Sequence, residues 1–154
     1  GVVRDPCLPK TAWPPTWFLL TALKYSRQRE SIKDYLMHTN AHPTADMVYL
    51  HVKEQFPNIS LGTVYRNLNL LSDMGEIIKI STPDGADRFD GRTVPHYHFF
   101  CTECGCMEDM NMACMKQIDQ LANEAFDGIV ESHSITFYGK CSRCLQKHSE
   151  AAAI

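Results

Sequence analysis

Three segments with helical spacing of apolar residues fill most of the first half of the chain. Ser26 is suited to cap the first, which places Ile32, Tyr35 and Leu36 on one face. His42-Pro43 interrupts the pattern, because the residue before a proline avoids the helical region. The pattern therefore predicts a helix that begins near Ser26 and ends before this dipeptide.

Two further amphipathic helices are predicted beyond this break. Thr44 is suited to cap the second helix and Ser60 the third, and Gly75 is suited to end the third. The apolar stripe of the second helix comprises Met47, Val48, Leu50, His51, Val52 and Phe56. The inward face of the third comprises Leu61, Val64, Leu68 and Leu71.

Shorter segments with strand character follow the third helix. Glu76–Ile80 and Asp87–Asp90 predict two strands that flank the turn Pro83-Asp84-Gly85. Three helices followed by a hairpin is the element order of a winged helix-turn-helix. Beyond it, strands are predicted at Tyr97–Phe100, Cys106–Met110 and Ile129–Tyr138, with a helix at Met115–Phe126.

This order of elements predicts the α+β class and a division of the chain. A winged helix-turn-helix domain is expected at 17–90, a linker at 91–95 and a small α/β domain at 96–154. Residues 1–16 contain four of the eight prolines and show no periodicity. They are expected to form a disordered arm or an expression-derived extension.

Composition is typical of a soluble protein and argues against membrane insertion. The 154 residues are 44% hydrophobic and 21% charged. No apolar run approaches the ~20 residues that span a bilayer. The short run Trp17–Leu23 does not suit a signal peptide, because two prolines and two tryptophans lie in or just before it.

The net charge of −3 conceals an asymmetry between the two halves of the chain. Residues 1–75 contain eight Lys and Arg against six Asp and Glu, whereas residues 76–154 contain seven against twelve. A first half of net charge +2 and a second half of net charge −5 suggest separate roles.

Two cysteine pairs dominate the second half, Cys101-Thr-Glu-Cys104 and Cys141-Ser-Arg-Cys144. A two-residue gap lets both sulfurs of a pair reach one ion, and two pairs supply the four thiolates of a closed zinc site. An iron–sulfur assembly or a rubredoxin-like iron is the alternative that such soft ligands permit. The odd count of seven cysteines and the paired spacing favour metal thiolates over disulfides, which indicates a reducing cytoplasm.

A second, harder set of candidate ligands lies beside the first cysteine pair. His96 and His98 are two residues apart, so on a strand they share a face and can hold one ion. Asp90 and Asp109 can add carboxylates. The pattern alone leaves open that these histidines are incidental, and Cys106, like Cys114, is expected to be a packing residue.

Five motifs occur in one order between Ser26 and Cys144 and carry a family resemblance. They are TVYRNL at 63–68, RFD at 88–90, HYH at 96–98, CTECG at 101–105 and YGKCSRC at 138–144. With them the chain resembles the ferric uptake regulator family, and within it the peroxide-responsive branch. The resemblance implies a homodimeric, metal-dependent repressor with an N-terminal winged-helix DNA reader and a C-terminal dimerisation domain.

The resemblance also implies a regulatory metal site. The histidine of the family's matching His-Pro-Thr-Ala-Asp stretch reaches this site from the DNA-binding domain, which adds His42 to the ligands. The set suits Fe(II), Mn(II) or Zn(II), leaves a sixth position for a small oxidant, and joins both domains. Its members are His42, Asp90, His96, His98 and Asp109.

In the peroxide-responsive branch, bound Fe(II) and hydrogen peroxide oxidise a ligand histidine, and the matching positions are His42 and His96. The branch carries Asp where iron sensors carry Glu, and the spacing from Cys104 assigns this position to Asp109 rather than Glu108. A further family site that includes the equivalent of His133 is expected to be incomplete here, because Tyr97 stands where an acid would serve.

The third helix is expected to enter the DNA major groove. Thr63 and Tyr65 can contact thymine methyl groups, and Arg66 can contact a phosphate or guanine. A core position for Tyr65 is the alternative. Phosphate contacts are expected from Lys24, Arg27, Arg29 and, on the wing, Arg88. The family implies an AT-rich inverted repeat as the operator.

Three functions are compatible with these features. The first is a repressor that senses peroxide through histidine oxidation. The second is an uptake regulator for iron, manganese or zinc that responds to metal occupancy alone. The third is a metalloenzyme, which the predicted helix-turn-helix disfavours and for which the sequence identifies no acid/base pocket.

Overall fold

The computed structural model describes residues 25–152, and the predicted arm, the segment 17–24 with Lys24, and the last two residues lie outside this range. Helix α1 spans Arg27–His38, α2 Ala45–Gln55 and α3 Leu61–Asp73. The three predicted caps are confirmed, because the side chains of Ser26, Thr44 and Ser60 each accept a hydrogen bond from the backbone amide of the third residue of their helix.

The three helices bury one apolar core between them. Ile32 and Leu36 of α1 pack against Val48 of α2 and Leu68 of α3, all of them fully buried. Met47 and Leu50 lie outside this core, with 41% and 66% of their surface exposed, so the predicted stripe on α2 was too wide. The buried residues of α2 are Ala45, Val48 and Val52, which are spaced three and four positions apart and so lie on one face.

A short hairpin follows the helices and lies against them. Strand β1, Ile78–Ile80, pairs antiparallel with β2, Arg88–Asp90, and both are shorter than predicted. The amide of Phe89 donates to the carbonyl of Pro43 (3.0 Å), which fixes β2 to the start of α2. This contact sets the position of Asp90 relative to His42.

The second part of the chain contains a three-stranded sheet. Strand β3, His98–Cys101, lies in the centre, antiparallel to β4, Met107–Asp109, and parallel to β5, Thr136–Gly139. Helix α4, Gln117–Ala125, lies between β4 and β5 in the chain.

The predicted strand at 129–138 forms only in its last part. Val130 cannot join a strand ladder, because the side chain of Asn123 on α4 accepts its amide (2.7 Å) and donates to its carbonyl (3.0 Å). Ile129 beside it is 83% exposed.

A last helix, α5 at Ser142–Ala152, was not predicted. It begins inside the second cysteine pair, and Cys144 is its one buried residue among those described. His148 of this helix contacts the carboxylate of Glu103 at 2.9 Å, which holds α5 against the first cysteine turn. Leu145, the one large aliphatic side chain of α5, is 53% exposed.

A small apolar cluster joins the hairpin to the sheet. Ile80 of β1 is buried with Phe100 of β3 and Met107 of β4. The hairpin therefore packs against both parts of the molecule. No helix among residues 25–152 is long and apolar enough to cross a membrane.

Candidate metal centres

The first centre consists of the four paired cysteines. The Sγ atoms of Cys101, Cys104, Cys141 and Cys144 all lie within 4.8 Å of one another. Sγ of Cys101 is 3.8 Å from Sγ of Cys144, and Sγ of Cys104 is 3.7 Å from Sγ of Cys141. The first pair occupies the turn between β3 and β4, and the second lies at the start of α5, as expected for two turns that share one ion.

Backbone amides prepare this centre for thiolates. Amide groups at Cys104 and Cys141 lower the pKa of the Cys101 thiol to about 6, and the Cys141 amide lies 3.3 Å from its sulfur. Burial, assisted by the neighbouring sulfurs of Cys104 and Cys141, raises the pKa of Cys106 to about 12. Burial also raises the pKa of the ligand Cys144, so its thiolate depends on a bound cation. Four soft thiolates in a closed arrangement fit a structural zinc ion, with Cys106 as a neutral neighbour.

The second centre brings together one donor atom from each of five residues within 4.8 Å of one another. Nε2 of His42 lies 2.8 Å from Oδ1 of Asp109, and Nε2 of His96 lies 3.1 Å from the same oxygen. The set is therefore the one expected for the regulatory site: His42, Asp90, His96, His98 and Asp109.

The contacts of Asp90 provide a test of whether a cation fits. Its Oδ2 faces three imidazole Nε2 atoms at 2.9 to 3.3 Å, those of His96, His98 and His42. One carboxylate oxygen cannot accept three such hydrogen bonds along its lone pairs. A divalent ion at the common point takes one lone pair from each donor and satisfies all of them, so the residues present fit a metal.

His96 and His42 are held in different ways. Nδ1 of His96 donates to the carbonyl of Val94 (2.7 Å), which leaves the lone pair of Nε2 directed at the centre. His42 is buried, its Nδ1 has no partner among the described residues, and its φ of +46° is rare for a residue with a side chain. Such strain persists where the surroundings enforce it, commonly at functional positions.

Charges within the metal-free centre are strongly coupled. Burial opposes a charge on His42, but the carboxylates of Asp90 and Asp109 outweigh it and raise the pKa of His42 above its usual value. Burial likewise opposes the charge on Asp90, but hydrogen bonds from His42, His98 and the amide of Arg92 hold its pKa well below its usual range. Asp90 therefore stays ionised and available as a ligand.

Arg92 orients both carboxylates and was missed by the sequence analysis. Its amide donates to Oδ1 of Asp90 (2.8 Å), and its guanidinium lies 3.4 Å from Oδ2 of Asp109. Each carboxylate is thus held by one oxygen and presents the other to the centre. The available signal in the sequence was one arginine in the linker between two groups of candidate ligands. A single arginine there is not specific enough to predict that it orients the carboxylates.

The assignment to Asp109 rather than Glu108 agrees with the strand register. Asp109 pairs directly with His98 across β3 and β4, so both side chains lie on the same face. Glu108 is on the opposite face, where its carboxylate is 3.9 Å from the thiol of Cys106.

His133 belongs to a hydrogen-bonded chain and not to either candidate metal centre found among residues 25–152. The hydroxyl of Tyr97 lies 2.6 Å from its Nε2, and its Nδ1 lies 2.7 Å from Oδ1 of Asp119. The amide of Met115 donates to the same hydroxyl (2.8 Å). In this structure His133 therefore lies between the hydroxyl of Tyr97 and the carboxylate of Asp119, and the incompleteness of the extra family site stays a prediction.

Helix α3 presents its predicted DNA contacts near its start. Tyr65 is 42% exposed, which argues against the core alternative, and Arg66 is exposed with its guanidinium 3.3 Å from Oγ1 of Thr63. Arg27 is exposed and Arg29 half-buried on α1. Arg88 is different, because its guanidinium turns inward to the carbonyl of Gly105 (2.8 Å), so the expected phosphate contact is wrong.

The fold and the two centres define a class, the metal-dependent winged-helix DNA-binding regulator. The profile of the ferric uptake regulator family matches residues 21–138, and the chain belongs to this family. Its members are dimeric DNA-binding repressors, and the protein is accordingly a metal-responsive repressor rather than an enzyme.

Individual relatives agree with this assignment. The chain is 35% identical over 125 residues to the peroxide-responsive repressor PerR of Staphylococcus epidermidis, and the match covers 81% of this chain and 83% of that protein. Its structure matches the Campylobacter jejuni peroxide stress regulator with a TM-score of 0.68 at 30% identity, over 76% and 88% of the two chains. The ferric uptake regulator of Vibrio cholerae matches with a TM-score of 0.65 at 26% identity, over 81% and 97%.

Proposed function

We propose that this protein is a transcriptional repressor that senses hydrogen peroxide through Fe(II) at a regulatory site between its two parts, a site that can also hold Mn(II). The supporting observation is the convergence of His42, from the turn before α2, with His96 and His98 from the other side of the linker. The four-cysteine centre acts as the structural zinc site that holds the second part together.

The chemistry of sensing concerns two of the imidazole rings. An Fe(II) ion held by these residues would supply the electron that cleaves the O–O bond of hydrogen peroxide. His42 and His96 are the expected targets: one ring gains one oxygen atom of peroxide and the other oxygen leaves as water, so that peroxide gains the two electrons that the ring loses. The altered ring is a poorer ligand, so the link between the two parts weakens.

Access to the rings supports this reading. A cavity of about 240 Å³ is lined by His42, Asp90 and Asp109, and another of about 330 Å³ is lined by His96 and Asp109. Each is much larger than the ~30 Å³ share of a water molecule, and peroxide is only slightly larger than water.

The mechanical consequence follows from where His42 lies. It directly precedes Pro43, whose carbonyl holds β2, and the segment leads into α2 of the DNA-binding part. An ion that binds His42 together with His96 and Asp109 favours one relative position of the two parts. A dimer reads two half-sites only at a fixed spacing, so the ion stabilises the DNA-competent state by differential affinity.

The proposal includes a division of labour along the chain. The DNA-binding domain comprises 17–90, the linker 91–95 and the dimerisation domain 96–154. Helix α3 reads an AT-rich inverted repeat through Thr63, Tyr65 and Arg66, while Lys24, Arg27 and Arg29 contact phosphates. We expect this activity in the cytoplasm, because free thiolates that bind a metal persist in a reducing compartment.

Mass spectrometry of the iron-loaded protein tests the sensing chemistry. The protein is loaded with Fe(II) without oxygen, exposed to hydrogen peroxide and digested, with the Mn(II) form as the control. We expect one added oxygen on the peptide of His42 or His96 in the iron form, and no added oxygen on either peptide in the manganese form. Unmodified histidines, with DNA binding that follows metal occupancy alone, would identify an uptake regulator instead.

A further inference from the structure

A fifth thiol lies against the four-cysteine centre. Cys106 packs against the buried cluster of Cys101, Cys141 and Cys144, and its thiol neighbours the sulfurs of Cys104 and Cys141. It is partly exposed and is not one of the four grouped ligands. The centre therefore carries a fifth sulfur beside its four ligands, which a structural zinc site does not require.

The same corner of the centre is open to solvent. Cys104 is the exposed member of the four ligands, whereas the other three are buried. A cavity of about 250 Å³ is lined by Cys104, Cys106 and Cys144, together with the cationic side chains of Arg143 and Lys147. A small oxidant can reach the Cys104 thiolate here. When that oxidant is a peroxide, its reduction releases hydroxide, which the two cations stabilise.

We propose that Cys104 and Cys106 form an oxidisable pair that releases the structural zinc, independently of iron at the regulatory site. The Cys104 thiolate attacks one oxygen of hydrogen peroxide, which forms a sulfenic acid and expels hydroxide. The Cys106 thiol then attacks the sulfenic sulfur, which forms a disulfide and expels water. The pair loses two electrons, peroxide gains them, and zinc loses one of its four ligands.

Gly105, between the two cysteines, connects this step to the DNA-binding part. Its carbonyl accepts the guanidinium of Arg88 on β2 (2.8 Å), two residues before the ligand Asp90. Gly105 adopts a φ of +71°, and its amide donates to the carbonyl of Cys101 (2.9 Å). A disulfide between its two neighbours reorients this peptide, so Arg88 loses its partner and the hairpin loses a contact with the zinc turn.

Zinc release from the manganese-loaded protein tests the proposal, because Mn(II) removes the iron chemistry from the regulatory site. The full chain is treated with hydrogen peroxide in the presence of a chromogenic zinc chelator and then digested without reduction. We expect one zinc released per chain and a peptide lighter by two hydrogen atoms that joins Cys104 to Cys106. Retained zinc, or a disulfide between other cysteines, would overturn the proposal.

Cys106→Ser and Cys106→Ala remove the resolving thiol, and Cys114→Ser is the matched control outside the centre. Zinc content before treatment shows whether each variant is folded. Cys106 lies beside Cys104 but is not one of the four grouped ligands, so it can react with the sulfenic acid without first leaving the zinc ion, as Cys141 would have to. We therefore expect the Cys106 variants to release zinc at least about tenfold more slowly. Release at the parental rate from a folded Cys106 variant would contradict the assigned pair.

A duplex enriched from a random library by the reduced, manganese-loaded protein serves as the DNA probe. Its affinity is expected to fall as zinc leaves the parent protein and to persist in Cys106→Ser. Zinc release without loss of DNA binding would overturn the coupling through Arg88. Because histidine oxidation plays no part with manganese, this outcome is independent of the peroxide chemistry proposed for His42 and His96.

Discussion

Nε2 of His42 lies 2.8 Å from Oδ1 of Asp109, although the two residues are 67 positions apart in the chain. The first belongs to the turn before α2 and the second to β4 of the other sheet. The contact therefore closes one part of the molecule on the other at the centre of the candidate regulatory site. Replacement of His42 should therefore weaken metal binding at this site without disrupting the fold.

His42→Ala is expected to weaken Mn(II) binding by more than about 100-fold, because even loss of a partner behind a ligand commonly costs 10–100-fold. The four-cysteine centre is untouched, so zinc content should not change. A competition titration with a fluorescent chelator measures the affinity, and elemental analysis measures the zinc.

His38→Ala is the matched control for that variant. His38 is highly exposed at the end of α1, and its ring contacts Asp34, one turn earlier on the same helix. Parental Mn(II) affinity in His42→Ala would show that the ion does not bridge the two parts.

Arg92→Gln tests orientation of the carboxylates. The variant keeps the amide that donates to Asp90 but loses the guanidinium 3.4 Å from Oδ2 of Asp109. Removal of a positive charge favours cation binding, but the side chain is 57% exposed and this repulsion is screened by salt. We expect orientation to dominate and Mn(II) affinity to fall about tenfold.

Arg27→Gln removes the same charge from an exposed position on α1 and should leave Mn(II) affinity unchanged. An affinity in Arg92→Gln that rises above the parental value would show that charge repulsion outweighs orientation.

Protonation of His42 should oppose metal binding. The carboxylates of Asp90 and Asp109 overcome the effect of burial and raise the pKa of His42 above 6.5 in the metal-free protein. The charged ring stabilises the metal-free contact below its unfolded pKa, and this contribution is lost as the pH rises through the folded pKa. A metal needs the neutral ring, so affinity must fall as the pH drops through the folded value.

A nuclear magnetic resonance titration of the His42 ring in metal-free protein measures this effect. The midpoint is expected above 6.5 and should move down in Asp90→Asn, which removes the carboxylate that contributes most to raising the pKa of His42. Below the midpoint, Mn(II) affinity should fall by roughly tenfold per pH unit for each proton displaced. A midpoint that does not respond to Asp90→Asn would contradict the electrostatic account.

The helical part could be predicted from sequence because its signals are local. Ser26, Thr44 and Ser60 each accept an amide of their own helix, and Val48 and Val52 lie four residues apart on one helix. Such relationships are visible within a few residues of chain, and the predicted caps were correct for that reason.

The remaining features depend on distant partners. His42 became a candidate ligand only through family resemblance, because its partner Asp109 is 67 positions away on β4. Val130 lies in a segment with strand composition, but Asn123 occupies its backbone groups. The inward turn of Arg88 likewise depends on Gly105, seventeen residues away, so no local pattern could show that it leaves the DNA surface.

Arg66→Ala tests the assignment of α3 as the reading helix. Arg66 is exposed near the start of α3 and has no contact with either metal centre in the described residues. Operator affinity should fall by roughly 1–3 kcal/mol, as for loss of a base contact, while zinc and Mn(II) content stay parental. Asn69→Ala, further along the exposed side of α3, is a suitable comparison, and parental DNA affinity in Arg66→Ala would contradict the assigned surface.

Gly91→Ala is expected to weaken metal binding without altering a ligand. A Cβ at Gly91 would lie 2.6 Å from the carbonyl carbon and oxygen of Leu36, which is closer than real Cβ contacts allow. Because both contacts are backbone atoms of α1, the chain at 90–92 must move away from the helix. That movement displaces Asp90 and Arg92 together, so we expect about a tenfold or greater loss of Mn(II) affinity and about 1–3 kcal/mol of destabilisation.

Gly62→Ala is the matched glycine control, because its added Cβ would meet no atom closer than 3.9 Å. Helix propensity predicts that this change stabilises α3 by up to ~1 kcal/mol and leaves Mn(II) affinity unchanged. Thermal unfolding and chelator competition measure the two quantities in both variants. If Gly91→Ala binds Mn(II) as the parent does while it unfolds earlier, then the close approach to α1 stabilises the fold but does not position Asp90, and the ligand geometry must depend on β2 and the linker alone.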